Sequence, residues 1–424
     1  MSKAGKAHEA VKTALIVLLA ASAVLLGWRT RLFDDIFRMI PFFGNVADLM
    51  WGGTGTQDAG GLILKEAARP LCIVITNDEC ERYGVRYETE TRNSVYDRAS
   101  SIMSEALGSA SQPREIGEEE WRGALLGAGV FFSYASPVKL SVLDGWLGTK
   151  TSVFPDDVSV RNVFVAFGKD RSRIFFQDHE SGRFYGAETA SSAGKAQELG
   201  IYNPNGAMFA FEANIETSAV APYIIILTGD EHPDAHAGPS GTKEELLGVA
   251  VAALGHEDET YTVLSDGDGA LRCVGTQFNV RADDKGYVFY RRTDSLPPAE
   301  ERLTLSEGEM IEQARVIAEN TIGALGGNAE VFFESSGYDV GYFSVYFGYY
   351  LAGGRVYLSN DANAAKVNFL SGVVRDIELN FRSFTFDGAF TRLLPERQAY
   401  AAAGGEFELC YSDTGAETIQ PFWH

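Results

Sequence analysis

Sulfur, imidazole and basic charge are all scarce in this chain. Its 424 residues include four cysteines and six histidines. Cys72, Cys80, Cys273 and Cys410 form no C-x-x-C pair and no zinc-finger spacing, so the sequence offers no structural zinc site. A Cys72–Cys80 bridge across a strand and turn is open to an exported domain, and a pair of buried free thiols is equally open. Lysine and arginine total 36 against 58 aspartates and glutamates, for a net charge of −22. The first 31 residues run the other way. Lys3, Lys6, Lys12, Arg29 and Arg31 face Glu9 alone, which concentrates −26 on the remainder. Such a surface repels nucleic-acid phosphates and anionic headgroups, so DNA and RNA are excluded as partners, and its general effect is solubility.

Catalytic signatures are also missing. There is no GxSxG elbow, no P-loop and no GxGxxG. Ser-x-x-Lys, a pattern of penicillin-recognising serine enzymes, occurs at Ser136–Lys139, Ser192–Lys195 and Ser240–Lys243. Three hits in one chain show how little the pattern demands, and neither a KTG box nor a Ser-x-Asn partner accompanies them. His232 and His236 stand among Asp230, Glu231 and Asp234, a set of residue types that can bind metal. Pro233 blocks a helical i, i+4 pair, so the stretch reads as a solvated acidic loop. Asp266-Gly-Asp268-Gly opens like a calcium loop but lacks the later ligands, and reads as a turn between strands. Neither a catalytic residue nor a cofactor or metal is expected.

Long apolar runs are nearly absent, and that makes the one exception informative. Thr13–Trp28 is 16 residues without a charge. As a helix it spans about 24 Å, a little short of a hydrocarbon core of about 30 Å. Lys12 and Arg29 can snorkel to extend it, and Trp28 stands where an interfacial aromatic belongs. Ala21-Ser22-Ala23 resembles a signal-peptidase site, but cleavage there would leave Val24–Trp28 as an apolar new terminus. The expectation is a retained anchor with a short cytoplasmic tail and a large exported region. Ile36–Trp51 follows, broken by Pro41 and Gly44. It fits either the membrane interface or the core of the first folded unit.

Beyond the Gly-rich stretch Trp51–Gly61 the fold class reads as α+β, with strands alternating with helices. The expected organisation is a tail over 1–12, an anchor over 13–28 and a juxtamembrane linker over 29–61. Three regions follow: an N-terminal α+β domain over 62–150, a strand-rich middle over 151–240 and a C-terminal α+β domain over 241–424. In the first, Val85–Thr91 reads as an exposed strand, Ser94–Leu107 as a helix and Val138–Leu143 as a strand. The second ends at Gly229–Gly241, read as a loop. In the third, Ser306 and Glu309 form a capping box for a helix over Leu305–Leu325. Antiparallel strands Glu330–Ser335, Tyr342–Leu351, Arg355–Leu358, Ala365–Leu370 and Val373–Phe384 follow it. Within this helix-on-sheet module, Tyr346, Tyr349 and Tyr350 are candidates for an exposed contact face.

The lysine-flanked span ending Leu26-Gly27-Trp28, the meander SVYFGYYLAGGRVYLSNDANAAKVNFLSGVVRDIELNFRSF and the close LCYSDTGAETIQPFWH give the chain a family likeness. It resembles the YycH/YycI (WalH/WalI) group of membrane-anchored extracytoplasmic proteins of Gram-positive bacteria. The resemblance covers the anchor and roughly the last 120 residues, and the total length is nearer the YycH member. It implies a non-enzymatic role: contact with the sensor histidine kinase of the WalKR cell-wall system, with a sister protein of the group as a second candidate partner. Ala20, Ala23 and Gly27, with Ala23-x-x-x-Gly27 spacing, would give the anchor a close-packing face flanked by Trp28. Two other classes stand beside this one. They are an extracytoplasmic peptide or wall-fragment binding module and a penicillin-binding-like serine enzyme.

Overall fold

Strand-forming runs dominate the middle of the sequence, and they pair into two large antiparallel systems. The computed structural model describes residues 65–424, except 150–152, 156–157, 169–170, 191–198, 214–221, 296–304 and 404–406. The expected anchor, with Ala20, Ala23, Gly27 and Trp28, lies outside the described residues, as does Ser192–Lys195. Among the described residues no helix is long and apolar enough to cross a membrane.

The first sheet holds β1 (Cys72–Thr76), β2 (Arg82–Val85), β3 (Arg114–Ile116), β4 (Gly129–Lys139), β5 (Ser159–Ala166), β6 (Ser172–Asp178) and β7 (Phe184–Thr189). Their order is β2-β1-β4-β5-β6-β7-β3, and every pairing is antiparallel. Val74, Phe131, Phe164 and Phe175 sit directly opposite one another and make a continuous apolar row. Helix α1 (Thr89–Gly108) covers one face, burying Val95, Ala99, Ile102, Met103 and Ala106 at helical spacing. Helix α2 (Glu118–Leu125) places Trp121 in the core with Phe131, Phe164 and Phe209. Both faces are covered, which is why these strands read as unbroken apolar runs instead of alternating ones. Helix α3 (Leu140–Trp146) then leads out of β4.

A short pair, β8 (Met208–Phe209) and β9 (Ile225–Ile226), caps the α2 side. Strand β10 (Glu231–Pro239) follows, then helix α4 (Lys243–Ala253) with a Thr242–Glu245 capping box. The strands β11 (Thr262–Ser265), β12 (Leu271–Val274), β13 (Phe278–Ala282) and β14 (Tyr287–Arg292) run as a meander. Helix α5 (Glu307–Ala318) ends in one π turn over Glu319–Gly323. After it come β15 (Glu330–Asp339), β16 (Tyr342–Leu351), β17 (Gly354–Leu358), β18 (Ala365–Leu370), β19 (Val373–Asn380) and β20 (Arg382–Arg392). Helix α6 (Glu396–Ala402) and β21 (Leu409–Asp413), β22 (Thr418–Ile419) and β23 (Pro421–Trp423) close the chain. The large sheet runs β11-β12-β13-β14-β19-β18-β16-β17-β21-β23, with β15 beside β16, and α4 and α5 pack on it. A third sheet is β20-β10-β22. The result is a mixed α/β fold of helices laid on largely antiparallel sheets.

Several expectations are confirmed here. The Ser306–Glu309 capping box is formed, Tyr342–Leu351 and Ala365–Leu370 have the expected bounds, and Asp266–Gly269 is a hairpin turn with Gly269 at φ 84°. The four cysteines are free: Cys80 is exposed and the other three are buried. The described residues all fall in one compact unit. Strands β4 and β5 pair across residue 150, and β10 pairs with β20 across residue 240.

Other expectations are corrected. Gly229–Gly241 is not a loop: it holds β10, the central strand of the third sheet. Its prolines are tolerated because Pro233 sits at a register shift and Pro239 at the strand end. The Val85–Thr91 strand is replaced by the end of β2 and the start of α1, which begins at Thr89, five residues before the expected Ser94. No side-chain cap marks that start. A tertiary ion pair from Arg92 to Glu330 holds the first turn instead. Leu140–Leu143 is helical, since so short a stretch, LSVL, cannot by itself distinguish strand from helix. Val373–Phe384 is two strands, parting at Phe381 as the chain moves from the large sheet to the third.

The exposed tyrosine face is not formed. Strand β16 is hydrogen-bonded on both sides, by β15 and by β17 and β18. Tyr349 is 0% exposed, donates to the Asn380 carbonyl at 2.9 Å and meets Phe384 edge-on. Tyr350 is packed against Leu71, Ala135 and Phe332. Tyr346 is half-buried, with Lys366 over its ring.

Candidate binding cleft

Where the first sheet meets the large sheet, β4 packs against β15 and a cleft of about 690 Å³ opens. The register of β4 and β5 breaks between Ser133 and Val138, so Tyr134, Ala135 and Ser136 bulge towards it. Bulges of this kind re-aim side chains near sites. Arg161 and Asn162 on β5 complete that wall. Opposite stand Glu334, Tyr350, Arg355 and Glu408.

The cleft charges are ordered unevenly. Arg355 forks onto Glu334, with Nε–Oε1 at 2.7 Å and a second contact at 2.8 Å, and lies over the Tyr357 ring. Tyr357 Oη donates to Glu408 Oε1 at 3.0 Å. Arg86, just past β2, donates from Nε to the Gly353 carbonyl at 3.1 Å. Its two Nη atoms have no hydrogen-bond partner among the described residues, and Arg161 is exposed with no partner among them either. Gly353 has φ 71°, and a Cβ there would lie 2.7 Å from the Arg86 carbonyl oxygen. Gly353→Ala is therefore expected to lower stability by about 1–2 kcal/mol from the left-handed backbone alone. Urea unfolding beside Gly238→Ala, whose Cβ would meet nothing within 4 Å, checks this. Equal midpoints for the two variants would refute it.

Behind Arg86 lies a buried polar node. Tyr87 Oη donates to Glu396 Oε1, and the Leu227 amide donates to Glu396 Oε2 at 2.6 Å. Burial pushes the Glu396 carboxyl up to about 7. His232, from β10, meets the Tyr87 ring edge-on at 4.7 Å and Trp423 at 5.6 Å. Both its ring nitrogens are buried without a hydrogen-bond partner among the described residues. Burial first, then Arg86, holds it down to about 4, so this imidazole is neutral at physiological pH. Cys72 is pushed up to about 12 by burial, which removes it as a nucleophile.

The other sequence candidates are dispersed. Ser136 lines the cleft, but Lys139 is paired with Glu307. Lys243 donates to the Gly269 carbonyl at 2.7 Å, and Ser240 Oγ is buried without a hydrogen-bond partner among the described residues. His236 is exposed on β10 while His232 is buried, and no three His, Cys, Asp or Glu among the described residues could hold a metal together. Asp266 and Asp268 are taken up by Arg272 and Arg281. Of the tyrosine candidates, Tyr346 and Tyr350 reach the cleft and Tyr349 does not. The arginines that matter were missed in the sequence. Their signal was there: Arg161 interrupts the apolar strand SVRNVFVA, and a lone charge in such a run asks for a reason.

Multi-sheet mixed α/β architecture with a polar inter-sheet cleft defines the class. The fold is YycH-like. The chain matches the crystal structure of YycH from Bacillus subtilis over 87% of its own length and 95% of that chain, with a TM-score of 0.55 and 12% sequence identity. An uncharacterised protein from Eubacterium rectale aligns over 46% of this chain and 76% of its own, at 12% identity and a TM-score of 0.30, too low to bear on the fold. No protein-family model and no curated protein matches the sequence.

Proposed function

We propose that this protein is a non-enzymatic, membrane-anchored regulator of a cell-wall-sensing histidine kinase, with its large region on the extracellular side. The observation that carries the reading is the YycH-like fold, which extends over nearly the whole of the compared chain. The resemblance of the N-terminal span and the C-terminal meander to the YycH/YycI group supports it. On this reading Thr13–Trp28 packs against the kinase's membrane helices through Ala20, Ala23 and Gly27. The ectodomain, alone or with a sister protein, biases the kinase between signalling states.

Exchanging residues 13–28 for an unrelated span tests this directly. The expected result is loss of kinase co-purification and of regulation, with the ectodomain still folded. A swapped protein that still co-purifies with the kinase and still restores signalling would overturn the transmembrane part. A second reading, an extracytoplasmic binding module, is favoured by one observation: the cleft holding Arg86 and Arg161.

A further inference from the structure

Arginines in this protein are, as a rule, neutralised where they are buried or packed. Arg82 pairs with Glu212, Arg315 with Glu312 and Glu319, and Arg382 with Asp413. That is the expected state in a chain with 58 acidic residues, where a carboxylate is seldom far away. The cleft between the two large sheets departs from it. Arg161 faces the opening without a partner among the described residues, and Arg86, although it feels the charges of Glu396 and Glu408, is anchored through Nε while both Nη atoms lack a hydrogen-bond partner among the described residues. A guanidinium whose Nε is pinned presents a pre-oriented pair of N–H donors, the geometry that fits a carboxylate fork.

The remaining lining narrows the ligand. Glu408 accepts a hydrogen bond from Tyr357 through Oε1, and Glu334 is shared with Arg355. Two carboxylates on the same wall, in a protein of net charge −22, disfavour a polyphosphate or other polyanion. They suit a ligand that carries its own cation. Asn162 and Asn363 add amide donors and acceptors, Ser136 a hydroxyl, and Tyr223 and Phe407 an aromatic surface. The volume falls within the range of small-molecule sites and holds a peptide of about three residues.

We propose that the cleft binds a short zwitterionic peptide, its C-terminal carboxylate held by Arg161 and Arg86 and its ammonium turned to Glu408. The kinase reading plays no part in this, because binding is measured on the purified chain alone.

The test is calorimetric titration of the full chain, in detergent, with a pool of Ala-X-Ala tripeptides in which X is Ala, Leu, Phe or Lys. The same pool with amidated C-termini and inorganic phosphate serve as comparison arms. The expected result is binding of the free-acid pool, weakened about tenfold or more by amidation or by Arg161→Ala. Arg161→Lys, which keeps the charge and loses the fork, should fall between. Arg161 is exposed and has no partner among the described residues, so its variants should unfold at the wild-type midpoint. If that midpoint drops, Glu408→Gln, which should weaken binding through the ammonium end, replaces them. Equal affinity for acid and amide, no heat from either pool at millimolar concentration, or binding of phosphate alone would overturn the proposal.

Discussion

Replacing Glu330 by glutamine is expected to destabilise the folded chain by about 3 kcal/mol, read as a lowered urea midpoint. Arg92 lies in the first turn of α1 and is 0% exposed. Its Nη2 reaches both Glu330 oxygens, at 2.5 and 2.6 Å, and Asn93 Oδ1 at 3.2 Å, while Nε and Nη1 have no hydrogen-bond partner among the described residues. Glu330 opens β15, so this pair joins the helix of the first sheet to the large sheet across 238 positions of sequence. Removing one partner leaves a guanidinium desolvated and uncompensated, whereas removing both removes the burden as well. The double variant Arg92→Met/Glu330→Met should therefore be more stable than Glu330→Gln alone. A Glu330→Gln midpoint indistinguishable from wild type would show that the pair does not hold the junction.

Glu396 should make stability fall as pH rises. Its carboxyl is buried at the start of α6 and pushed from the ordinary 4.5 to about 7, mainly by burial, against the Tyr87 and Leu227 hydrogen bonds and the Arg86 charge. A carboxyl raised in the folded state takes up a proton on folding between those two values. Its contribution is complete below about pH 4.5 and is lost as pH climbs through about 7. The shift corresponds to about 3 kcal/mol. Glu396→Gln mimics the protonated form, since the amide oxygen can accept from Leu227 while its NH₂ donates to the Tyr87 hydroxyl. The wild-type chain should thus lose about 3 kcal/mol relative to the variant between pH 4.5 and pH 8. Urea titrations of both at the two ends measure it, and a constant difference would rule the linkage out.

What the sequence revealed and what it hid divide along local and non-local lines. The α5 capping box, the Asp266–Gly269 turn and the strands β16 and β18 are written in neighbouring residues, and were readable. The fold likeness was readable too, from the C-terminal meander and the close of the chain. The start of α1 was not, because Arg92 needs a partner 238 residues away. Nor was the fate of Tyr349. Period-two alternation tells which residues share a face, but only the tertiary fold shows that β15, β17 and β18 pair both edges of β16 and that its faces are covered, Tyr349 by Phe384 and Tyr350 by Leu71 and Ala135. The cleft is the extreme case. Arg86, Arg161 and Glu408 come from three distant segments, and none stands in a motif.

Strand β10 has a consequence for how the chain is made. Its two neighbours, β20 and β22, are synthesised long after it, the nearer about 150 residues later. At ordinary translation rates that is roughly 10–30 s during which β10 has neither edge satisfied. The first sheet, complete by Thr189, can close in the meantime. A waiting strand of apolar residues would pair with whatever chain it met. Glu231, Pro233, Asp234 and Pro239 are the residue types that discourage such pairing. The composition that disguises β10 as a loop is also what lets it stay single until its own partners leave the ribosome.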